Sequence, residues 1–192
     1  MKKAIVLFKD GFEELEALSV VDVLRRANME CLMVGMDSLE VTSSHHITLK
    51  MDQLYNENVK DASLVVIPGG MPGATSLRDD ARVIALLKEF NQQNKLIGAI
   101  CAGPITLQKA GILNGKNYTC YPGFENEITD GNYKNSLVEV DDNIITAKGP
   151  GASLPFAYTL LEQLQEDSQT IQDSMQYTFL KQTIKNDPKY KM

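Results

Sequence analysis

A cysteine closes the short apolar run Leu96-Ile97-Gly98-Ala99-Ile100-Cys101, and Ala102-Gly103-Pro104 then leads into Ile105-Thr106-Leu107-Gln108. The apolar run reads as a buried strand and the residues after it as a helix. Cys101 therefore occupies a tight strand-to-helix turn, the layout that holds a nucleophile up at the carboxyl end of a sheet. Unpaired N–H groups of the helix's first turn lie beneath such a residue and favour its anionic form. The expectation is a thiolate nucleophile at Cys101. Cys31, within Glu30-Cys31-Leu32-Met33-Val34, reads instead as an inert buried thiol.

A second cluster, Glu13-Glu14-Leu15-Glu16, opens another helix. At about 100° per residue, Glu13 and Glu16 share the side of Ala17, Val20, Leu24 and Ala27, whereas Glu14 points elsewhere. A carboxyl bordering an apolar face tends to keep its proton, and can then donate to a thiolate and shuttle protons. Acidic residues are favoured in any first turn, which accounts for Glu13 and Glu14. Glu16 lies deeper along the helix and is the carboxyl candidate to act with Cys101. The opposite side of this helix carries Leu15 and Leu18 beside Asp22 and Arg26, a candidate subunit interface.

Pro68-Gly69-Gly70 follows the apolar run Leu64–Ile67, and such glycines let backbone approach a ligand closely. The N–H groups of Gly70 and Ala102 are the candidate oxyanion hole beside Cys101, with Gly69 and Gly103 at the edges of the pocket. Gly149-Pro150-Gly151-Ala152-Ser153 is a further loop that could frame it, with Ser153 as a helix cap. His45 and His46 precede Ile47-Thr48-Leu49, which reads as a short edge strand. Adjacent strand residues face opposite ways, so the two histidines are not expected to share a metal, and no third ligand is evident. His45 stays a pocket candidate, open as a base to Cys101. The three cysteines, Cys31, Cys101 and Cys120, have neither metal-ligand spacing nor an even count, so no metal site and no disulfide framework is expected.

These residues need a scaffold. Apolar, β-branched runs recur at 4–8, 31–34, 64–67, 96–100, 137–140 and 144–147, with helical spacing over 11–27, 78–92, 103–110 and 153–165. Strands alternating with helices predict a doubly wound α/β fold, a parallel sheet covered on both faces. Asp141-Asp142-Asn143 predicts a hairpin turn and a small antiparallel element. In the tail, Ile171, Met175 and Phe179 stand four apart and predict one last docked helix over about 168–186. The 192 residues are expected to form a single domain. A net charge of −6, with no basic block beyond Lys2-Lys3 and Arg25-Arg26, argues against a nucleic-acid partner. The run Ala4–Phe8 is too short for a signal peptide or membrane span, so a cytoplasmic, membrane-free protein is expected.

Taken together, Gly11-Phe12-Glu13-Glu14-Leu15-Glu16, Val21-Asp22-Val23-Leu24-Arg25-Arg26-Ala27, Val65-Val66-Ile67-Pro68-Gly69-Gly70, Ala99-Ile100-Cys101-Ala102-Gly103-Pro104 and Lys148-Gly149-Pro150-Gly151 resemble the ThiJ/PfpI superfamily, in the branch of the Parkinson disease protein deglycase and its bacterial relatives. The resemblance runs from Ala4 to about Leu164. It implies a flavodoxin-like fold related to class I glutamine amidotransferase domains, and a homodimer through the first helix. It implies that Cys101 is the reactive cysteine, Glu16 the carboxyl that contacts it, and Gly70 with Ala102 the N–H pair. Two departures stand out. Ala102 replaces the histidine that follows the cysteine in proteolytic relatives, which disfavours a peptidase or amidotransferase. Tyr121, beside Cys120 and Pro122, stands where the deglycase branch often has histidine, and tyrosine is no base at neutral pH.

The functional expectation is a cofactor-free, cysteine-dependent enzyme of the deglycase or glyoxalase type, acting on methylglyoxal or its adducts on thiols and amines. The alternative is an oxidative-stress sensor or chaperone-like protein whose Cys101 is oxidised and whose new oxygens are held by Glu16 and the N–H pair.

Overall fold

The structure, a computed structural model, describes residues 2–190. Its centre is a seven-stranded sheet. The strands in chain order are β1 (Lys3–Phe8), β2 (Glu30–Gly35), β3 (Glu40–Thr42), β4 (Thr48–Lys50), β5 (Gln53–Leu54), β6 (Leu64–Ile67), β7 (Leu96–Ile100), β8 (Asn117–Tyr118), β9 (Asn132–Tyr133), β10 (Val138–Asp141) and β11 (Ile144–Ala147). The main sheet runs β10-β11-β7-β6-β1-β2-β5, with every pairing parallel except β10 with β11. That antiparallel pair closes at Asp142, which takes the left-handed φ of 52° that a tight hairpin demands.

Side chains alternate across each strand and so feed two cores. Ala4, Val6 and Phe8 of β1 join one apolar cluster, Ile5 and Leu7 the other. The first cluster is covered by α1 (Glu14–Arg26), and the second receives Leu77 of α2 (Gly73–Arg78) and Leu86, Leu87 and Phe90 of α3 (Ala81–Gln92). Further along, α4 (Pro104–Ala110) packs on the second face, α5 (Ser153–Gln163) on the first, and α6 (Ser168–Ser174) and α7 (Tyr177–Asn186) follow. This is the doubly wound, flavodoxin-like arrangement. After β1 the chain turns to β2 on one side, then returns to place β6 on the other. Strand order reverses there, and the crevice beyond the carboxyl ends of β1 and β6 is where such sheets place a ligand.

Three local expectations change. The expected helix over 78–92 starts later, as α3 at Ala81, because Asp80 caps it by accepting from the Arg82 N–H at 2.9 Å, and Arg78 instead ends the separate α2. The expected tail helix over 168–186 is two helices, broken where Gln176 takes φ 60°. The break turns Tyr177 onto Tyr158, ring centroids 4.9 Å apart, and leaves Phe179 64% exposed rather than docked. Finally, the segment after the histidines is no edge strand of the main sheet. It pairs as β4 with β3 in a separate ribbon, and His45 and His46 occupy its turn, His46 at φ 66°. This ribbon folds over the link between β1 and α1, where the Gly11 N–H donates to Thr42 O and the Ser44 N–H to Phe12 O, each at 2.8 Å. Among the described residues, no helix is long and apolar enough to cross a membrane.

Candidate active site

Cys101 follows β7 directly and takes φ 62°, a left-handed conformation that costs a non-glycine residue about 1–2 kcal/mol. Its surroundings fix that geometry. The Cys101 N–H donates to Ala147 O at 2.9 Å, the Tyr121 N–H donates to Cys101 O at 3.0 Å, and the Gly103 N–H reaches back to Ile100 O at 2.8 Å. Gly103 has to lack a side chain, since a Cβ there would stand 2.6 Å from Ile67 O. The elbow thus sits on the end of β6, next to Gly69 and Gly70.

Gly69 ties the start of α1 to this loop from both of its backbone groups. Its N–H donates to Glu16 Oε2 at 2.8 Å, and its carbonyl accepts from the Glu13 N–H at 2.9 Å. Glu13 in turn caps the helix, accepting from the Glu16 N–H at 2.7 Å. Glu16 is completely buried, and its second oxygen, Oε1, has no hydrogen-bond partner among the described residues. A Cβ on Gly69 would lie 2.6 Å from Cys101 Cβ, 2.6 Å from Glu16 Oε2 and 3.0 Å from Cys101 Sγ. The thiol and the carboxyl therefore meet over a glycine that leaves no spare room.

Burial dominates the electrostatics. It raises the Glu16 carboxyl to about 7; hydrogen bonds with the Cys101 thiol and the Gly69 N–H oppose the rise, and the Glu13 charge adds to it. Burial also pushes the Cys101 thiol upward, and the facing Glu16 carboxylate adds to that. The N–H groups of Ala102 and Gly70 donate toward the sulfur and pull the other way. The expected depression of the Cys101 pKa by helix and amide donors is therefore outweighed by burial and like charge. The pair behaves as two acids of raised affinity, between which a proton can pass over a short path.

A model of the DJ-1/PfpI family matches residues 2–163. The chain belongs to the DJ-1/PfpI family. Protein DJ-1 homolog B of Arabidopsis thaliana is 38% identical over 162 residues, covering 83% of this chain and 37% of that longer protein. The glutathione-independent glyoxalase DJR-1.2 of Caenorhabditis elegans is 33% identical over 173 residues, 88% of this chain and 92% of the relative. The solved structure of oxidised Toxoplasma gondii DJ-1 superposes with a TM-score of 0.84 at 34% identity, covering 94% of this chain and 98% of the other.

On this DJ-1/PfpI scaffold Cys101, Glu16, Gly69, Gly70, Ala102 and Gly103 come together in one crevice. The remaining pocket candidates divide. Tyr121 binds the Cys101 carbonyl through its backbone, and its ring, 47% exposed, rests on Gly149 and lines a cavity of about 290 Å³ with Leu137, Lys148 and Pro150. Cys120 is fully buried in the core of the opposite sheet face, with Ala102, and burial pushes its thiol up to about 12; Cys101 belongs to the other core. Cys31 is likewise buried and pushed up to about 12. His45 pairs with Glu14, Nδ1 to Oε1 at 2.9 Å, instead of serving Cys101. Ser153 does not cap α5 through a backbone N–H; its hydroxyl donates to Pro150 O at 2.7 Å. On the outer side of α1, Leu15 is 59% exposed, Leu18 half-buried, and Arg26 exposed and paired with Asp22 at 2.8 Å.

Two features escaped the sequence reading. Glu13 is the cap that orients Glu16, beyond the helix-dipole stabilisation expected of it, and an acidic residue three before Glu16 is the spacing of a side-chain cap. The pairing of His45 with Glu14 depends on the ribbon folding back, which no local pattern announces.

Proposed function

We propose that the protein is a cofactor-free glyoxalase of the DJ-1/PfpI type, converting reactive 2-oxoaldehydes such as methylglyoxal to 2-hydroxy acids, and acting on their adducts with thiols and amines. The observation that carries this reading is the fully buried Glu16 carboxyl, raised to about 7, against the Cys101 thiol. In the proposed reaction the Glu16 carboxylate takes the thiol proton as sulfur bonds to the aldehyde carbon. The aldehyde oxygen gains charge beside the Gly70 and Ala102 N–H groups and is protonated by Glu16. Glu16 then removes the proton from that carbon and returns it to the neighbouring ketone carbon, while the hydroxyl proton on the first carbon passes to the ketone oxygen. The first carbon is thereby oxidised to a thioester as the second is reduced to an alcohol, and water releases lactate and regenerates the thiol. No external reductant or oxidant enters. The nematode relative's name, glutathione-independent glyoxalase, supports the reaction class. Lactate production from methylglyoxal by the wild type, lost in Cys101→Ser, is the test; equal rates in the two proteins would end the proposal.

A second reading rests on the solved oxidised relative and on Tyr121 in place of a basic histidine. In it, peroxide oxidises Cys101 to the sulfenic and then the sulfinic acid, with water released at each step. Graded peroxide followed by intact-mass and peptide analysis tests it. Oxygen added to Cys101 ahead of Cys31 and Cys120 supports a tuned sensor, and equal oxidation of all three opposes it.

The outer face of α1, with Leu15 and Leu18, is the surface we assign to a homodimer, and the cell compartment that fits this chemistry is the cytoplasm.

A further inference from the structure

We propose that the cavity beside the Cys101 elbow is a specificity subsite for 2-oxoaldehydes built on an aromatic ring that ends in a carboxylate, with Lys148 as the residue that binds the carboxylate. The inference rests on the glyoxalase reading and narrows its substrate.

The position of Lys148 follows from the sheet. Strands β7 and β11 are parallel neighbours, about 4.8 Å apart, with Ile100 opposite Ala147. Cys101 and Lys148 are the next residues along the two chains. The Cys101 N–H donates to Ala147 O and the Tyr121 N–H donates to Cys101 O, so the cavity walls at Lys148 and Tyr121 are tied to the nucleophile's own backbone. A para-substituted benzene ring spans about one strand spacing, and a methyl group far less.

The lining sets the chemistry. Tyr121, Pro122, Leu137 and Pro150 wall a space of about 290 Å³, and among the described residues that line it Lys148 alone is charged. The Tyr121 ring lies against Gly149, where a Cβ would stand 3.1 Å from the ring, so one wall is an aromatic face held in place. The Lys148 ammonium donates to the Tyr133 hydroxyl at 3.0 Å and to Asn135 Oδ1. Both acceptors are neutral, and among the described residues no carboxylate pairs with Lys148, although acidic residues outnumber basic ones in the chain by 25 to 19. An ammonium has three donors, so one remains for a ligand. A cation held by neutral partners at the rim of an apolar space is complemented by an anion carried on an apolar body.

Turnover of para-carboxyphenylglyoxal follows the steps given for methylglyoxal and consumes one water to yield para-carboxymandelate, with no outside oxidant or reductant. The test compares kcat/KM for para-carboxyphenylglyoxal, phenylglyoxal and methylglyoxal in wild type, Lys148→Met, Lys148→Arg and Leu137→Glu. Wild type should prefer para-carboxyphenylglyoxal to phenylglyoxal by at least about tenfold, the scale of a hydrogen bond between charged groups. That ratio should fall to about one in Lys148→Met and persist in Lys148→Arg. Leu137 is 52% exposed, so Leu137→Glu serves even if Lys148→Met unfolds: its carboxylate engages the ammonium and should abolish the preference as well. Binding of para-acetylbenzoate, which has no aldehyde, is measured by NMR against acetophenone. It should bind wild type at least about tenfold more tightly, and Lys148→Met should erase the difference. Absence of turnover with all three substrates removes the glyoxalase reading, and the para-acetylbenzoate titration then decides the carboxylate subsite by itself. Equal use of the two aryl substrates by wild type, an unchanged preference in Lys148→Met or Leu137→Glu, or equal binding of para-acetylbenzoate and acetophenone would each overturn the proposal.

Discussion

Glu16 and Cys101 meet across Gly69, whose missing side chain is what lets them: a Cβ there would stand 2.6 Å from Cys101 Cβ and 2.6 Å from Glu16 Oε2. Gly69 also holds Glu16 through its N–H at 2.8 Å. Gly69→Ala should therefore force the carboxyl and the thiol apart. We expect methylglyoxal turnover to fall about a hundredfold, since about 1 Å of misplacement has that effect, with stability lowered by about 1–3 kcal/mol. Steady-state kinetics and urea unfolding read the two effects, and an alanine variant with wild-type turnover would show that the contact is not needed.

The raised Glu16 pKa fixes a direction for stability against pH. Its native value of about 7 exceeds the ordinary 4.5, so between these pH values the native state keeps a proton that the unfolded chain has released. Stability attributable to Glu16 is whole below pH 4.5 and declines as pH rises to 7, by about 3 kcal/mol in all. Glu16→Gln should remove this decline. Urea midpoints for wild type and variant at both ends of the window give the comparison, and identical pH trends would contradict the assignment.

Tyr121 lends its N–H to the Cys101 carbonyl, a bond that any residue except proline retains. Tyr121→His should keep the elbow intact while adding a group that titrates near neutral pH. We expect kcat for methylglyoxal to rise about tenfold, less than a full general acid–base contribution. An unchanged or lower kcat would show that position 121 only shapes the cavity wall.

The exposed Leu15 on α1 offers a direct probe of assembly. Leu15→Asp should change the stability of the isolated chain by less than about 0.5 kcal/mol, because nothing within the chain depends on burying it. Sedimentation should find the wild type as a dimer and the variant as a monomer. A monomeric wild type would remove the proposed interface.

Most of the scaffold was legible in the sequence because parallel strands buried on both faces write continuous apolar runs, as Leu64–Ile67 and Leu96–Ile100 do with matching boundaries. Cys101 and Glu16 were legible for the same reason, one ending such a run and the other on an inward helix face. Breaks inside helical patterns were not. Gln176 adopts its left-handed turn to bring Tyr177 to Tyr158, a tertiary contact that overrides the regular spacing of Ile171, Met175 and Phe179. The proton affinity of Cys101 was misread because the sequence displays the amide donors around it but not the depth of burial or the carboxylate it faces.

The central claim is that the Cys101 thiol and the Glu16 carboxyl act together on a 2-oxoaldehyde. Lactate formed from methylglyoxal by wild type, Cys101→Ser, Glu16→Gln and the double variant measures it most directly. Residues that act as a unit are non-additive, so both single variants should fall to the background rate and the double variant should fall no further. Lactate formed by Glu16→Gln at the wild-type rate, or by Cys101→Ser above background, would contradict it.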